Sequence, residues 1–139
     1  MEDPFDLQRF IDAQAPVIER VVAELRTGRK RSHWMWFVFP QLRGLGSSAM
    51  AERYGIVSLA EARAFLDHPL LGPRLRMCTQ LVLAVPATPI GEILGAPDDL
   101  KFRSSMTLFD RAATGDRVFA DALAKYYGGI ADDATERRL

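Results

Sequence analysis

Three cations, Arg29, Lys30 and Arg31, stand directly before Ser32, His33 and the run Trp34-Met35-Trp36-Phe37-Val38-Phe39, which closes at Pro40-Gln41. If that run is a helix, the cations lie at its N-terminus, where unpaired backbone N–H groups and the macrodipole already favour an anion. Lys30 and Arg31 are therefore candidate phosphate ligands. Trp34 and Trp36 each offer a face on which a base or another ring can stack, and Gln41 is a further candidate contact. His33 is the nearby side chain suited to proton transfer near neutral pH. A second segment, Asp98-Asp99-Leu100-Lys101-Phe102-Arg103-Ser104-Ser105, places Lys101, Ser104 and Ser105 within about one helical turn, so that an ammonium and two hydroxyls can converge.

Together these residues suggest a pocket for a phosphate-bearing, nucleotide-like small molecule. His33, Asp99 and Lys101 would be its catalytic candidates, and Lys30, Arg31, Trp34, Trp36, Gln41, Ser104 and Ser105 its ligand-binding candidates. This expectation requires the two segments to share one concavity. A simpler reading makes the aromatics core, the basic triplet solvated, His33 a cap, and the serines and Thr107 back-bonded to helix carbonyls. A reading of a different class, a non-catalytic interaction module, would put the aromatics in a surface patch against a protein partner.

Other features are weaker. The order Lys101 then Ser104 does not match the Ser-x-x-Lys of acyl enzymes. Gly44-x-Gly46 lacks the third glycine and the preceding strand of a dinucleotide fingerprint. His68 stands before Pro69 at a helix end, where a protonated ring would suit the dipole. Cys78 falls on an apolar helix face and reads as a small hydrophobe. One cysteine and two histidines give no metal-ligand spacing and no intramolecular disulfide, and Asp132 and Asp133 lack calcium-loop spacing. No metal or cofactor is indicated.

The elements that must position these residues are helical. Leu7, Phe10, Ile11, Val17, Ile18, Val21, Val22 and Leu25 keep the rhythm of one buried helix face, with Asp6 as N-cap, Gly28 as stop, and Pro16 as either a kink or a new start. The Trp34–Phe39 run is read as a short helix capped by Ser32. Ser47 or Ser48 caps a helix through Tyr54, and Ser58 with Glu61 makes a capping box for the next, which stops at His68-Pro69. Leu71, Leu75, Cys78, Val82 and Val85 mark another. Residues 89–94 form a short helix closed by Gly95, and Pro97 opens a helix to about Ala113, with Asp99 and Arg103 as an i, i+4 pair. The helix of Val118, Phe119, Ala122, Leu123 and Tyr126 ends at Gly128-Gly129, and a capped segment from Asp132 to Leu139 follows. The expectation is an all-α orthogonal bundle of about seven to nine short helices, in a single domain over 1–139.

Composition agrees: 139 residues, 48% hydrophobic and 26% charged, suit one ordinary core. Lys+Arg and Asp+Glu both number 18. A balanced charge lowers the prospect of nucleic acid as partner, because phosphate neutralisation supplies much of that affinity. The acidic start Met-Glu-Asp-Pro lacks the apolar region of a secretory signal, and no apolar run is long enough for a bilayer. A cytoplasmic location without membrane contact is expected.

The pattern Leu7-x-Arg9-Phe10-x-x-Ala13-Gln14, followed by Lys30-x-x-His33-Trp34-Met35-Trp36-Phe37-x-Phe39-Pro40-Gln41, resembles a bacterial family known as domain of unknown function 1810. So do Glu61-Ala62-x-x-x-Leu66-x-His68-Pro69-Leu70-Leu71-Gly72, and Asp99-x-Lys101-x-x-Ser104-Ser105-Met106-Thr107-Leu108-Phe109, with the Gly129 and Asp132 turn. The resemblance runs essentially end to end. It implies a compact all-helical fold and no activity; the calpastatin label that some members carry finds no support in these residues.

Overall fold

The fold is all-helical in a computed structural model that describes residues 2–139. Ten helices are present among them: α1 (Gln8–Gln14), α2 (Ile18–Arg26), α3 (Met35–Val38), α4 (Ala49–Tyr54), α5 (Leu59–Asp67), α6 (Leu71–Leu83), α7 (Ile90–Leu94), α8 (Asp98–Ala112), α9 (Val118–Tyr127) and α10 (Asp133–Arg138). That is more than the seven to nine expected, because Pro16 divides the first apolar pattern into α1 and α2. The only extended pairing among the described residues is an isolated bridge, Leu42 to Ile56. No helix among them is long and apolar enough to cross a membrane.

Helix α8 is the hub. It packs against α5, α7, α9 and α10, while α6 joins α2, α5 and α9 on the far side of the core. Phe102, Met106, Leu108 and Phe109 of α8 are all fully buried. Edge and tilted ring contacts run from Phe10 to Phe65 (5.1 Å between centroids), Phe65 to Phe109 (5.3 Å) and Phe109 to Phe119 (5.9 Å), linking α1, α5, α8 and α9. Such pairs add about 0.5–1.5 kcal/mol beyond the area they bury. Where α5 turns into α6 the backbones approach so closely that a Cβ on Gly72 would lie 2.0 Å from the Leu66 carbonyl oxygen.

Helix caps show how local rules and tertiary contacts divide. Ser48 accepts from the Ala51 N–H, and Ser58 from the Glu61 N–H, both as their sequence positions predict. The Glu61 carboxylate bonds the Val57 N–H, one residue before the cap, and so completes a variant of the box. Asp6 does not cap α1: it adopts a left-handed backbone (φ 51°), and the Asp3 carboxylate accepts the Leu7 and Gln8 N–H groups instead. Those bonds, from Gln8 foremost and then Leu7, hold the Asp3 carboxyl below the usual range. Ser32 does not cap α3, whose N-cap is Trp34, with no side-chain bond to the helix N–H groups. His68, at the end of α5, has a capping role toward the next helix. Its Nδ1 accepts the Leu70 and Leu71 N–H groups and so starts α6. Cys78 is fully buried, and burial pushes its thiol up to about 12, so it is inert in this environment.

The last turn of the chain is held by a polar latch. Asp132 Oδ2 accepts from the Thr135 N–H (3.1 Å), the Thr135 hydroxyl (2.5 Å) and the Ser104 hydroxyl (3.1 Å). The Asp132 N–H donates to Thr107 Oγ1 at 2.8 Å. Arg103 donates to the carbonyls of Ile130 and Ala131 and makes no pair with Asp99, contrary to the expected i, i+4 contact. Asp132→Ala should therefore cost about 1–2 kcal/mol, the usual penalty for losing a helix cap. The loss should be local: amide exchange should rise first in residues 130–139, and unchanged protection there would contradict the latch.

Candidate functional site

The cluster around Trp34 is organised by a residue that no motif singled out, Glu24 on α2. Its Oε1 accepts the Arg31 N–H (2.8 Å), the Ser32 N–H (3.1 Å) and the Trp34 indole N–H (2.9 Å), and its Oε2 accepts the Ser32 hydroxyl (2.6 Å). Burial pushes the Glu24 carboxyl up, but these bonds from Ser32, Arg31 and Trp34 outweigh it and hold the group down at about 2. The turn from Arg31 to Trp34 is thus wrapped around a carboxylate, and Trp34 is buried with its N–H satisfied.

Lys30 is committed as well. Its Nζ lies 2.9 Å from Asp98 Oδ2 and 5.1 Å from the centre of the Trp34 ring, with little of the side chain exposed. Its backbone N–H donates to the Ile93 carbonyl at 2.7 Å. Lys30 therefore ties the α2–α3 loop to α7 and the start of α8, with its charge already balanced. It also borders an open concavity of about 680 Å³, with Arg29, Gly91 and Glu92 on the same rim. Arg31 and His33 are exposed and line none of the concavities described here.

The two candidate segments do meet, through other members. Trp36 and Gln41 from the first and Lys101 from the second line one cleft, together with Met35, Phe39 and Tyr54. The Lys101 ammonium sits 5.6 Å from the Trp36 ring centre. The Trp36 indole N–H is buried without a hydrogen-bond partner among the described residues, and so is the hydroxyl of Ser105, one turn after Lys101 on α8. A buried donor left unpaired costs about 1–3 kcal/mol, so each such group calls for a partner. With Lys101 in place the cleft is narrow: its free volume is about 10 Å³, room for about one water molecule. The extended segment that carries Gln41 is held by the Ile56 N–H to its carbonyl at 2.9 Å. Gly55 allows that approach, since a Cβ there would lie 2.7 Å from the Arg43 Cα.

The remaining candidates serve the scaffold. Ser104 bonds Asp132 and, weakly, the Leu100 carbonyl, while Thr107 bonds the Arg103 carbonyl. Asp99 Oδ1 accepts the N–H of Leu100, and its carbonyl accepts the Tyr127 hydroxyl. Burial, then the neighbouring Asp99, pushes that phenol well above the tyrosine range. No group of three or more His, Cys, Asp or Glu side chains suited to a metal exists among the described residues.

The protein is all-helical, with a small cleft lined by Trp36, Phe39, Tyr54 and Lys101 among others. The chain belongs to the family described as "Protein of unknown function (DUF1810)", which matches residues 4–139. It is similar to the conserved hypothetical protein Rv1873 from Mycobacterium tuberculosis, whose crystal structure was determined at 1.38 Å. The two share 64% identity, the match covers 99% of this chain and 98% of that one, and the TM-score is 0.97. A comparison with curated proteins found no match.

Proposed function

We propose that the protein binds a small planar molecule carrying a hydrogen-bond acceptor and a negative charge, in the cleft formed by Trp36, Gln41 and Lys101. The observation that carries this reading is the Trp36 indole N–H, buried and unpaired at the wall of a slot whose cation can swing. Lys101 is long and flexible, and its contact with the Trp36 face is worth only about 0.5–1 kcal/mol at a partly exposed site. A ligand that enters the slot along the indole edge accepts the N–H in the ring plane, while the ammonium leaves the Trp36 face to meet the ligand's negative charge. Gln41 supplies an amide able to donate and accept. A nucleobase with its phosphate belongs to this class; Lys30, paired with Asp98, and Arg31 are not among the residues that line this cleft, so the proposal gives the phosphate to Lys101.

Of the lining side chains only Lys101 and Tyr54 could move a proton, and the proposal assigns Lys101 the supply of charge, so it is one of binding. The alternative of an interaction module with an aromatic surface patch draws little support from this segment, because Trp34, Phe37 and Phe39 are buried.

A thermal-shift panel of benzoate, nicotinate, uracil and adenosine monophosphate tests the assignment, with Trp36→Phe and Lys101→Ala run beside the wild type. A true ligand at a hundredfold excess over its Kd adds about 2.7 kcal/mol of stability. Trp36→Phe keeps a ring but loses the N–H, and should weaken that ligand about tenfold. No shift anywhere in the panel with folded protein, or a shift that survives both substitutions, overturns the reading.

A further inference from the structure

A second cavity, of about 380 Å³, brings Arg9, Arg43, Arg53, Asp6 and Glu61 together beside the ring of Phe5. These charges are not equivalent. Arg9 is fully engaged: its Nε donates to the Arg53 carbonyl, Nη1 to those of Phe5 and Asp6, and Nη2 to the Gly55 carbonyl and to Glu61 Oε2 at 2.8 Å. Arg9 and Glu61 therefore form a closed, neutral floor.

Arg43 and Arg53 differ. Arg43 is anchored through Nε to the Glu52 carbonyl at 3.0 Å, which fixes the plane of its guanidinium but leaves both Nη groups without an acceptor among the described residues. The Arg53 guanidinium rests over the Tyr54 ring, 5.5 Å from its centre, and none of its N–H groups has an acceptor there. Neither arginine takes part in an ion pair among the described residues. Against them stands one carboxylate, Asp6. Two guanidinium groups, each held on one side and open on the other, thus border a concavity that carries an uncompensated positive charge. Anchoring of this kind lowers the ordering cost that usually makes surface cations poor binders.

We propose that this cavity is a binding site for a small phosphate monoester, held between the Nη groups of Arg43 and Arg53, with its organic part against Phe5. A planar fork donates two parallel hydrogen bonds to one oxyanion. A tetrahedral phosphate has three terminal oxygens and accepts from two forks at once, whereas a single carboxylate is satisfied by one. The site is separate from the Trp36 cleft and does not rest on its assignment.

The test is calorimetric titration of the intact chain with methyl phosphate at fixed ionic strength, with acetate as the carboxylate comparison. Neither probe carries a ring, so neither stacks on Trp36. The expected result is saturable one-to-one binding of methyl phosphate that Arg43→Gln or Arg53→Gln weakens about tenfold or more, and that Lys101→Ala and Arg20→Gln, the latter at an exposed position of α2 outside this cavity, leave unchanged. Arg43→Lys and Arg53→Lys keep the charge without the fork, so they should also weaken binding in protein of unaltered helicity. Absent saturation in the wild type, acetate bound as tightly, or equal loss in Arg20→Gln overturns the proposal. Loss in Lys101→Ala also overturns it, by placing the phosphate at the other cleft.

Discussion

Glu24→Ala is expected to cost about 3–5 kcal/mol, a large part of the stability of a domain this size, because it strips a buried carboxylate from four donors at once. The Trp34 indole N–H would be left unpaired in the core, and the Arg31–Trp34 turn would lose its centre. Glu24→Gln is the sharper experiment. Its amide oxygen keeps the three bonds that Oε1 accepts, and its NH2 can donate to Ser32 Oγ, so most of the geometry survives without the charge. The wild-type carboxyl falls from an ordinary 4.5 to about 2 in the folded chain. A depressed folded value means that the carboxylate's contribution is complete above pH 4.5 and is lost as pH falls from there through about 2. That drop is worth about 3 kcal/mol. Urea unfolding between pH 7 and pH 2.5 should show the wild type losing much of this increment, with Glu24→Gln less stable at pH 7 but flatter below pH 4.5. Parallel curves for the two proteins would sink the argument.

Arg9→Ala is the second substitution of this size. Glu61 is only 1% exposed in its side chain, and Arg9 is its counter-charge. Removing one partner of a buried pair costs about 3–5 kcal/mol, since the other charge is left uncompensated. Here four backbone carbonyls, of Phe5, Asp6, Arg53 and Gly55, lose a donor as well. Arg9→Lys should recover only part of the loss, because an ammonium cannot reproduce the fork that reaches four carbonyls and a carboxylate. The double change Arg9→Met with Glu61→Leu should be less damaging than Arg9→Ala alone, as it buries no orphan charge. Chemical unfolding of the three variants gives the comparison. A double variant weaker than the single one would show that Glu61 matters through its Val57 bond and not through the pair.

These two hubs explain what the family pattern contains. Arg9, Gln14, Trp34 and Glu61 belong to the segments that carry the resemblance, and each has a structural task in this fold. Gln14 bridges α1 and α3 by donating to the Phe37 carbonyl at 2.7 Å and receives Arg74 at 3.3 Å. A dense motif of polar and aromatic residues can thus record how a small helical core solves its buried hydrogen bonds, as well as any ligand. Within the pattern, Trp36 and Ser105 carry buried polar atoms with no partner among the described residues, and Trp36 is the one that lines the cleft. For that reason the functional proposal rests there.

Helical class, most helix positions, the Ser58 cap, a cap at Ser47 or Ser48, the burial of Cys78 and the family were all legible in the residues alone, because they follow from interactions within a few positions along the chain. Helix periodicity and capping reach three or four residues, and the sequence prints them directly. What the tertiary structure decided was every role set by a partner far along the chain. Trp34 and Trp36 stand two residues apart and look alike, yet one indole finds Glu24 and the other has no partner among the described residues. Lys30 and Lys101 both looked free for a ligand, and Asp98 takes the first while the second lies over a ring. Ser104 and Ser105 are neighbours on one helix; a turn of 100° per residue gives the first to Asp132 and buries the second without a partner among the described residues. Charge and hydrogen-bond capacity are properties of a residue, but whether they are already satisfied depends on which distant groups the fold brings within 3 Å.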